Sequence, residues 1–159
     1  MFKITLESTW EHKGIIRNYI KSNNFFLTYG DGISNIDIKV LLEFHKSHGK
    51  IGTVSAVSPP SRFGVLDIKN NNSVQSFKEK PSTNTSYING GFFVFEPTFF
   101  DYLDTDESCI LEQNPLENLA KDGQLMAYKH DGFWQCMDTI RDKEILEKKI
   151  RNKEHLEKN

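Results

Sequence analysis

An apolar run, Phe25-Phe26-Leu27-Thr28-Tyr29, passes with no polar alternation straight into Gly30-Asp31-Gly32. A run that short, closed by glycines, predicts a strand covered on both faces, as in a parallel sheet with helices packed on it. The next segment, 34–48, carries Ile38, Leu41, Leu42 and His45 at i, i+3, i+4 and i+7, one buried stripe of a helix. Ser34 or Asn35 suits its cap, and Gly49 its end. Strand, glycine-flanked acid and helix in succession put Asp31 at a strand's carboxyl end, where open α/β sheets bind ligands. Gly30 and Gly32 leave room for backbone or phosphate to come close. Gly-Asp-Gly is also ordinary turn chemistry, so the rest of the chain has to decide its meaning.

Further strands are predicted at 2–7, 51–57, 63–68, 74–80, 87–95 and 124–128. Segments 63–68 and 74–80 flank Lys69-Asn70-Asn71-Asn72-Ser73 and read as a hairpin. Ser58-Pro59-Pro60-Ser61 forces a loop before it, and Pro81 stops it. Residues 14–20 read as a short helix or turn. Residues 98–103 start a helical turn, and 110–120 read as a helix interrupted by Pro115. From Asp138 onward a long amphipathic helix is expected, capped by Asp138, with a charged tail over 151–159. No repeat or linker divides the 159 residues, so one α/β domain over 1–159 is expected. Twelve phenylalanines, several adjacent, predict bulky packing between layers.

The balance of 20 basic and 22 acidic side chains gives no footprint for duplex nucleic acid, so a polyphosphate partner needs a metal or a few local cations. Cys109 and Cys136 lack metal-ligand spacing and are expected as reduced thiols. No apolar run approaches the roughly 18 residues of a membrane span, and the first residues lack a targeting layout. A cytoplasmic protein is expected.

Three more stretches carry chemistry. In Phe77-Lys78-Glu79-Lys80-Pro81, Glu79 can grip hydroxyls and Lys80 can hold a phosphate as a point charge; the plain alternative is a solvated strand end. In Ile88-Asn89-Gly90-Gly91-Phe92, Asn89 offers donor and acceptor while bare glycines let a ring approach the backbone; the alternative is a β-bulge. In Phe133-Trp134-Gln135-Cys136-Met137-Asp138-Thr139, Asp138 either caps the last helix or shares a divalent cation with Asp31.

Together these strings, with Pro60-Ser61-Arg62-Phe63-Gly64-Val65-Leu66-Asp67-Ile68, resemble the sugar nucleotidyltransferases, and among them the glucose-1-phosphate cytidylyltransferases. The match runs in order from about residue 14 to residue 150. The resemblance implies a partial Rossmann-like (GT-A-like) α/β fold, a mixed sheet with flanking helices. It implies Mg²⁺-dependent transfer of a cytidylyl group from CTP to α-D-glucose 1-phosphate, giving CDP-glucose and pyrophosphate for nucleotide-sugar and surface-polysaccharide (O-antigen) biosynthesis. Asp31 and Asp138 would hold Mg²⁺, Lys80 the sugar phosphate and Glu79 the sugar hydroxyls. Asn89 and Gly90 would line the sugar pocket, Gly64 would give a backbone contact, and Gly30 would lie against substrate. Asp31, Asp138 and Lys80 form the expected catalytic set.

The family's opening strand and Gly-x-Gly-Thr-Arg loop, which cradle the nucleotide phosphates, have no counterpart in residues 1–21. The chain is therefore expected to represent the carboxyl-terminal two-thirds of such an enzyme, with Lys13 or Arg17 standing in as a basic nucleotide contact. An uncovered apolar edge beside Phe25–Tyr29 predicts a marginal or homo-oligomeric chain. Two other readings compete. One is a remnant that binds sugar phosphate or pairs with a full-length paralogue. The other is a glycosyltransferase, which would want Asp-x-Asp where Asp31-Gly32-Ile33 stands.

Overall fold

The computed structural model describes residues 17–59, 63–79, 86–103 and 109–151. The expected strand at 2–7, Pro60 and Ser61 of the proline loop, Pro81 and the charged tail beyond Arg151 lie outside them. Residues 17–19 are helical. The main sheet has four strands in the order β1-β6-β3-β7: β1 (Phe25–Thr28), β6 (Ile88–Phe95), β3 (Gly52–Val57) and β7 (Leu125–His130). A two-stranded ribbon pairs β2 (Gly32–Ser34) with β8 (Trp134–Cys136), and a hairpin pairs β4 (Val65–Ile68) with β5 (Val74–Lys78). Three α-helices, α1 (Ile38–His48), α2 (Asn114–Lys121) and α3 (Ile140–Arg151), and a 3-10 helix at Pro97–Tyr102 complete the described elements.

The sheet is mixed, as the resemblance implies. β3 and β7 run parallel, whereas β6 is antiparallel to both β1 and β3. The parallel setting expected for β1 is thus corrected, since its partner is β6, with Phe25 opposite Phe95 and Thr28 opposite Phe92. The unbroken apolar run has another reason. Phe25 and Leu27 join a cluster with Phe93, Phe95, Phe99 and Leu119, whereas Phe26 packs on the opposite face against Ile36, Leu41 and Val94. Both faces are covered, and strand direction does not enter.

The expected phenylalanine packing is the core itself. Phe95 stacks on Phe99 with centroids 3.8 Å apart, Phe93 on Phe95 at 5.5 Å, and Phe25 on Phe100 at 5.2 Å. Such pairs contribute about 0.5–1.5 kcal/mol each beyond the area they bury.

Helix ends differ from expectation in instructive ways. α1 is capped by Asp37, whose Oδ1 accepts from Lys39 N (2.8 Å) and Val40 N (3.2 Å). Ser34 is occupied elsewhere, donating to Phe133 O at 2.9 Å from the end of β2. Gly49 ends the helix at φ 61, as expected. Pro115 sits in the first turn of α2 and does not interrupt it, because a missing N–H is harmless there. α3 is capped by Thr139, not by Asp138: Thr139 Oγ1 accepts from Asp142 N at 3.2 Å, while the Asp142 carboxylate accepts from Thr139 N at 3.1 Å and Oγ1 at 2.8 Å. This reciprocal box leaves Asp138 one residue outside the helix start.

Beneath α1 lies a buried polar cluster. Thr53 Oγ1, fully buried, sits 2.8 Å from both His45 Nδ1 and His48 Nε2. His48 Nδ1 accepts from Lys50 N (3.0 Å), so its Nε2 carries the proton and donates to Thr53. Burial, with His48 and Lys46 nearby, pushes the His45 pKa down to about 4.

Candidate active site

The carboxyl ends of β1, β3 and β7 and the start of β6 share one end of the sheet, since Thr28 faces Phe92 and Val57 faces both Ile88 and His130. Tyr29, Asp31, Asn89 and the chain entering β8 gather there. The β4–β5 hairpin leaves from the end of β3 and returns into β6 at this same end.

The two aspartates come from opposite strands of the β2–β8 ribbon. Gly32 pairs with Cys136, and one step further Met137 N donates to the Asp31 carbonyl at 3.0 Å. Asp138 follows immediately. Both residues are exposed, and the capping duty expected of Asp138 belongs to Thr139 and Asp142. Among the described residues no three or more His, Cys, Asp or Glu side chains cluster to hold a metal ion. A carboxylate pair that relies on substrate oxygens for its remaining ligands is a common magnesium arrangement.

The ribbon is fastened to the sheet at the glycine pair. Trp134 Nε1 donates to Gly90 O at 2.8 Å. His130 Nε2 lies 3.0 Å from Asn35 Oδ1 and 3.3 Å from Phe133 O, and Asn35 N donates to Phe133 O at 3.1 Å. Gly90-Gly91 is a bulge, the plainer of the two readings: register with β3 slips between Val54 and Ala56, and Ser55 Oγ accepts from Phe92 N at 3.1 Å. Gly90 is buried, and a Cβ on it would lie 2.6 Å from Ser55 Oγ. Gly91 holds φ 76 against the Tyr29 ring, a conformation that leaves no room for a Cβ.

Beside the bulge, Asn89 Oδ1 accepts from Gly91 N (2.8 Å) and its Nδ2 donates to Tyr29 Oη (3.0 Å). Tyr29 Oη donates in turn to Glu112. Burial first, and the Glu112 carboxylate second, raise the Tyr29 pKa well above the ordinary phenol value, so Tyr29 stays protonated. Neither Tyr29 nor Trp134 is among the site residues expected from the sequence. The available signal was general: a Tyr or Trp entering a core needs a partner for its polar atom.

The other expected residues fall as follows. Gly30 is exposed beside Asp31. In the hairpin, a Cβ on Gly64 would lie 3.0 Å from Glu79 Oε2, so these two are neighbours. Lys80 lies outside the described residues. Arg17 is not brought to this end: it forms a 2.7 Å ion pair with Asp101 of the 3-10 helix, beyond the Phe25–Phe95 end of the sheet.

The family model for nucleotidyl transferases matches residues 10–146. A glucose-1-phosphate cytidylyltransferase of Salmonella typhimurium is 51% identical over 133 residues, covering 83% of this chain and 51% of that protein. A probable glucose-1-phosphate cytidylyltransferase of Bacillus subtilis is 43% identical over 126 residues, covering 79% and 49%. The chain therefore spans about half the length of these curated relatives. Among solved structures, HddC from Yersinia pseudotuberculosis superposes with a TM-score of 0.63 at 23% identity, over 90% of this chain and 62% of that one. A putative glucose-1-phosphate thymidylyltransferase from Bacillus anthracis gives 0.59 at 22%, over 87% and 59%. At those identities the likeness concerns the fold. No helix among the described residues is long and apolar enough to cross a membrane.

Proposed function

The chain belongs to the nucleotidyl transferase family, and we propose that it serves transfer of a cytidylyl group from CTP to α-D-glucose 1-phosphate, releasing pyrophosphate. The observation that supports this is the Met137 N–H bond to the Asp31 carbonyl, which brings the backbone leading into Asp138 against that of Asp31 at a sheet end suited to ligands. The strings that single out the cytidylyl branch are 29–32 and 133–139, the same two that meet in this ribbon.

In this reading Asp31 and Asp138 would hold Mg²⁺, which would supply charge neutralisation on the nucleotide phosphates. Glu79 and Asn89 orient the hexose through its hydroxyls, and Lys80 holds its phosphate so that an oxygen lies in line with the α-phosphorus. Gly64, beside Glu79, adds a backbone contact, while Gly30 and the Gly90 bulge give close approach. No covalent enzyme intermediate is required, so rate enhancement comes from positioning and electrostatics. Arg17, paired with Asp101 at the far end, is given no substrate contact here.

The test is CDP-glucose formation from CTP and glucose 1-phosphate with Mg²⁺. Asp31→Asn and Asp138→Asn are each expected to lower turnover about 100-fold or more, the scale of removing one essential electrostatic contact. They should also abolish Mn²⁺ binding, read by electron paramagnetic resonance with CTP present. Near-normal activity in Asp138→Asn would refute the shared-metal assignment. Sugar-phosphate binding without any turnover would make the chain a binding module.

A further inference from the structure

The Asn89 carboxamide at the Gly90–Gly91 bulge has no freedom to flip. Gly91 N–H can be met only by an acceptor, so it fixes Oδ1 (2.8 Å). Tyr29 gives its one phenolic proton to Glu112, so it has only lone pairs to offer Asn89, and Nδ2 must face it (3.0 Å). The Tyr29 backbone N–H is itself bonded to Gly91 O at 3.0 Å, and its ring packs edge-on against Phe93. Glu112 comes from the turn just before α2, more than eighty residues along the chain from Tyr29. Asn89 is exposed. After these bonds Nδ2 retains one N–H, and Oδ1 on the same carbon retains one lone pair. That pairing matches a single hydroxyl, which both donates and accepts.

We propose that Tyr29, backed by Glu112, is a positioning residue that locks the Asn89 amide in one orientation and thereby sets which hydroxyl of a hexose phosphate the site discriminates. This rests on the proposed function for the sugar side of the site. Without the phenol, the amide keeps only its Gly91 contact, and its free donor is no longer held in one place. A site built to bond a hydroxyl rejects analogues lacking it because its own polar groups are then left unpaired.

The experiment titrates the chain with α-D-glucose 1-phosphate and its 2-, 3-, 4- and 6-deoxy analogues by calorimetry or ligand-observed NMR. Wild type, Tyr29→Phe, Glu112→Gln and Glu112→Ala are compared. In wild type, one deoxy sugar should bind about 10-fold or more weaker than the parent. Tyr29→Phe, which keeps the ring, should weaken the parent several-fold and compress that one difference to within about twofold, the scale of losing one orienting hydrogen bond. Glu112→Ala should follow it, whereas Glu112→Gln, still able to accept from Tyr29, should keep the wild-type pattern. Melting temperatures of Tyr29→Phe and wild type should agree closely, so a changed selectivity cannot be put down to loosened packing. An unaltered deoxy-sugar pattern in Tyr29→Phe overturns the inference while leaving the proposed function standing. A wild-type chain that binds none of the five sugars overturns the proposed function, and this inference with it.

Discussion

Lowering the pH should unload stability from one identifiable residue, His45. In the fold it is almost wholly buried, touches Thr53 Oγ1 with Nδ1, and has no partner for Nε2 among the described residues. The groups facing the cluster are His48, Lys46 and Lys50, all unfavourable to a second cation, with Glu96 opposing them at His48. Its folded pKa is about 4, against 6.5 when exposed. Between those values the unfolded chain binds a proton that the native chain refuses. The associated stability is therefore complete above about pH 6.5 and is lost as pH falls towards 4, amounting to about 2 kcal/mol at pH 5 and about 3 kcal/mol in full. Urea unfolding followed by tryptophan fluorescence at pH 7.5, 6 and 5 gives the measurement, with His45→Leu alongside. Whatever the leucine costs at pH 7.5, the variant should lose about 2 kcal/mol less than wild type between pH 7.5 and 5, a midpoint difference on the order of 1 M urea. Parallel pH slopes for the two proteins would refute the reasoning. So would a wild-type His45 Hε1 resonance titrating near its ordinary value.

Three further substitutions probe the site's scaffolding. Thr139→Ala removes the α3 cap and should cost about 1 kcal/mol by denaturant unfolding; combined with Asp142→Ala, the costs should fall short of additive because both remove one box. Gly90→Ala drives a Cβ to within 2.6 Å of Ser55 Oγ and 2.9 Å of Val57 Cγ1, and should destabilise by about 1–3 kcal/mol. In Gly90→Ala the Trp134 emission should also shift, since the bulge carbonyl it donates to must move.

Where the sequence was informative, a local pattern determined the element. β6 ends in an apolar run, Phe92–Phe95, that needs no context, Gly49 marks a helix end by its own backbone freedom, and the hairpin turn carries Asn72 at φ 64, a conformation asparagine tolerates better than most. The β2–β8 ribbon was not readable. Gly32-Ile33-Ser34 and Trp134-Gln135-Cys136 are too short to show periodicity, and each is a strand only because the other, a hundred residues away, pairs with it. The direction of β1 was misread for a related reason, as burial on both faces reports what covers a strand and says nothing of which way its neighbour runs. Asp31 stood out by its position at a strand end. Asp138 allows two readings from its local chemistry, a helix cap or a cation ligand, and the capping role is filled by Thr139.

The bond between Met137 N and the Asp31 carbonyl, one step beyond the Gly32–Cys136 pair, ties together the two backbone stretches that carry the acids. A shift of the β2–β8 ribbon therefore moves the backbone on both sides of that bond together. The ribbon in turn meets the sheet at two anchors, the Trp134 indole on the Gly90 carbonyl and His130 Nε2 beside Asn35 Oδ1. A substitution at either anchor would displace the Asp31 and Asp138 backbones relative to Asn89, the residue before Gly90 in β6.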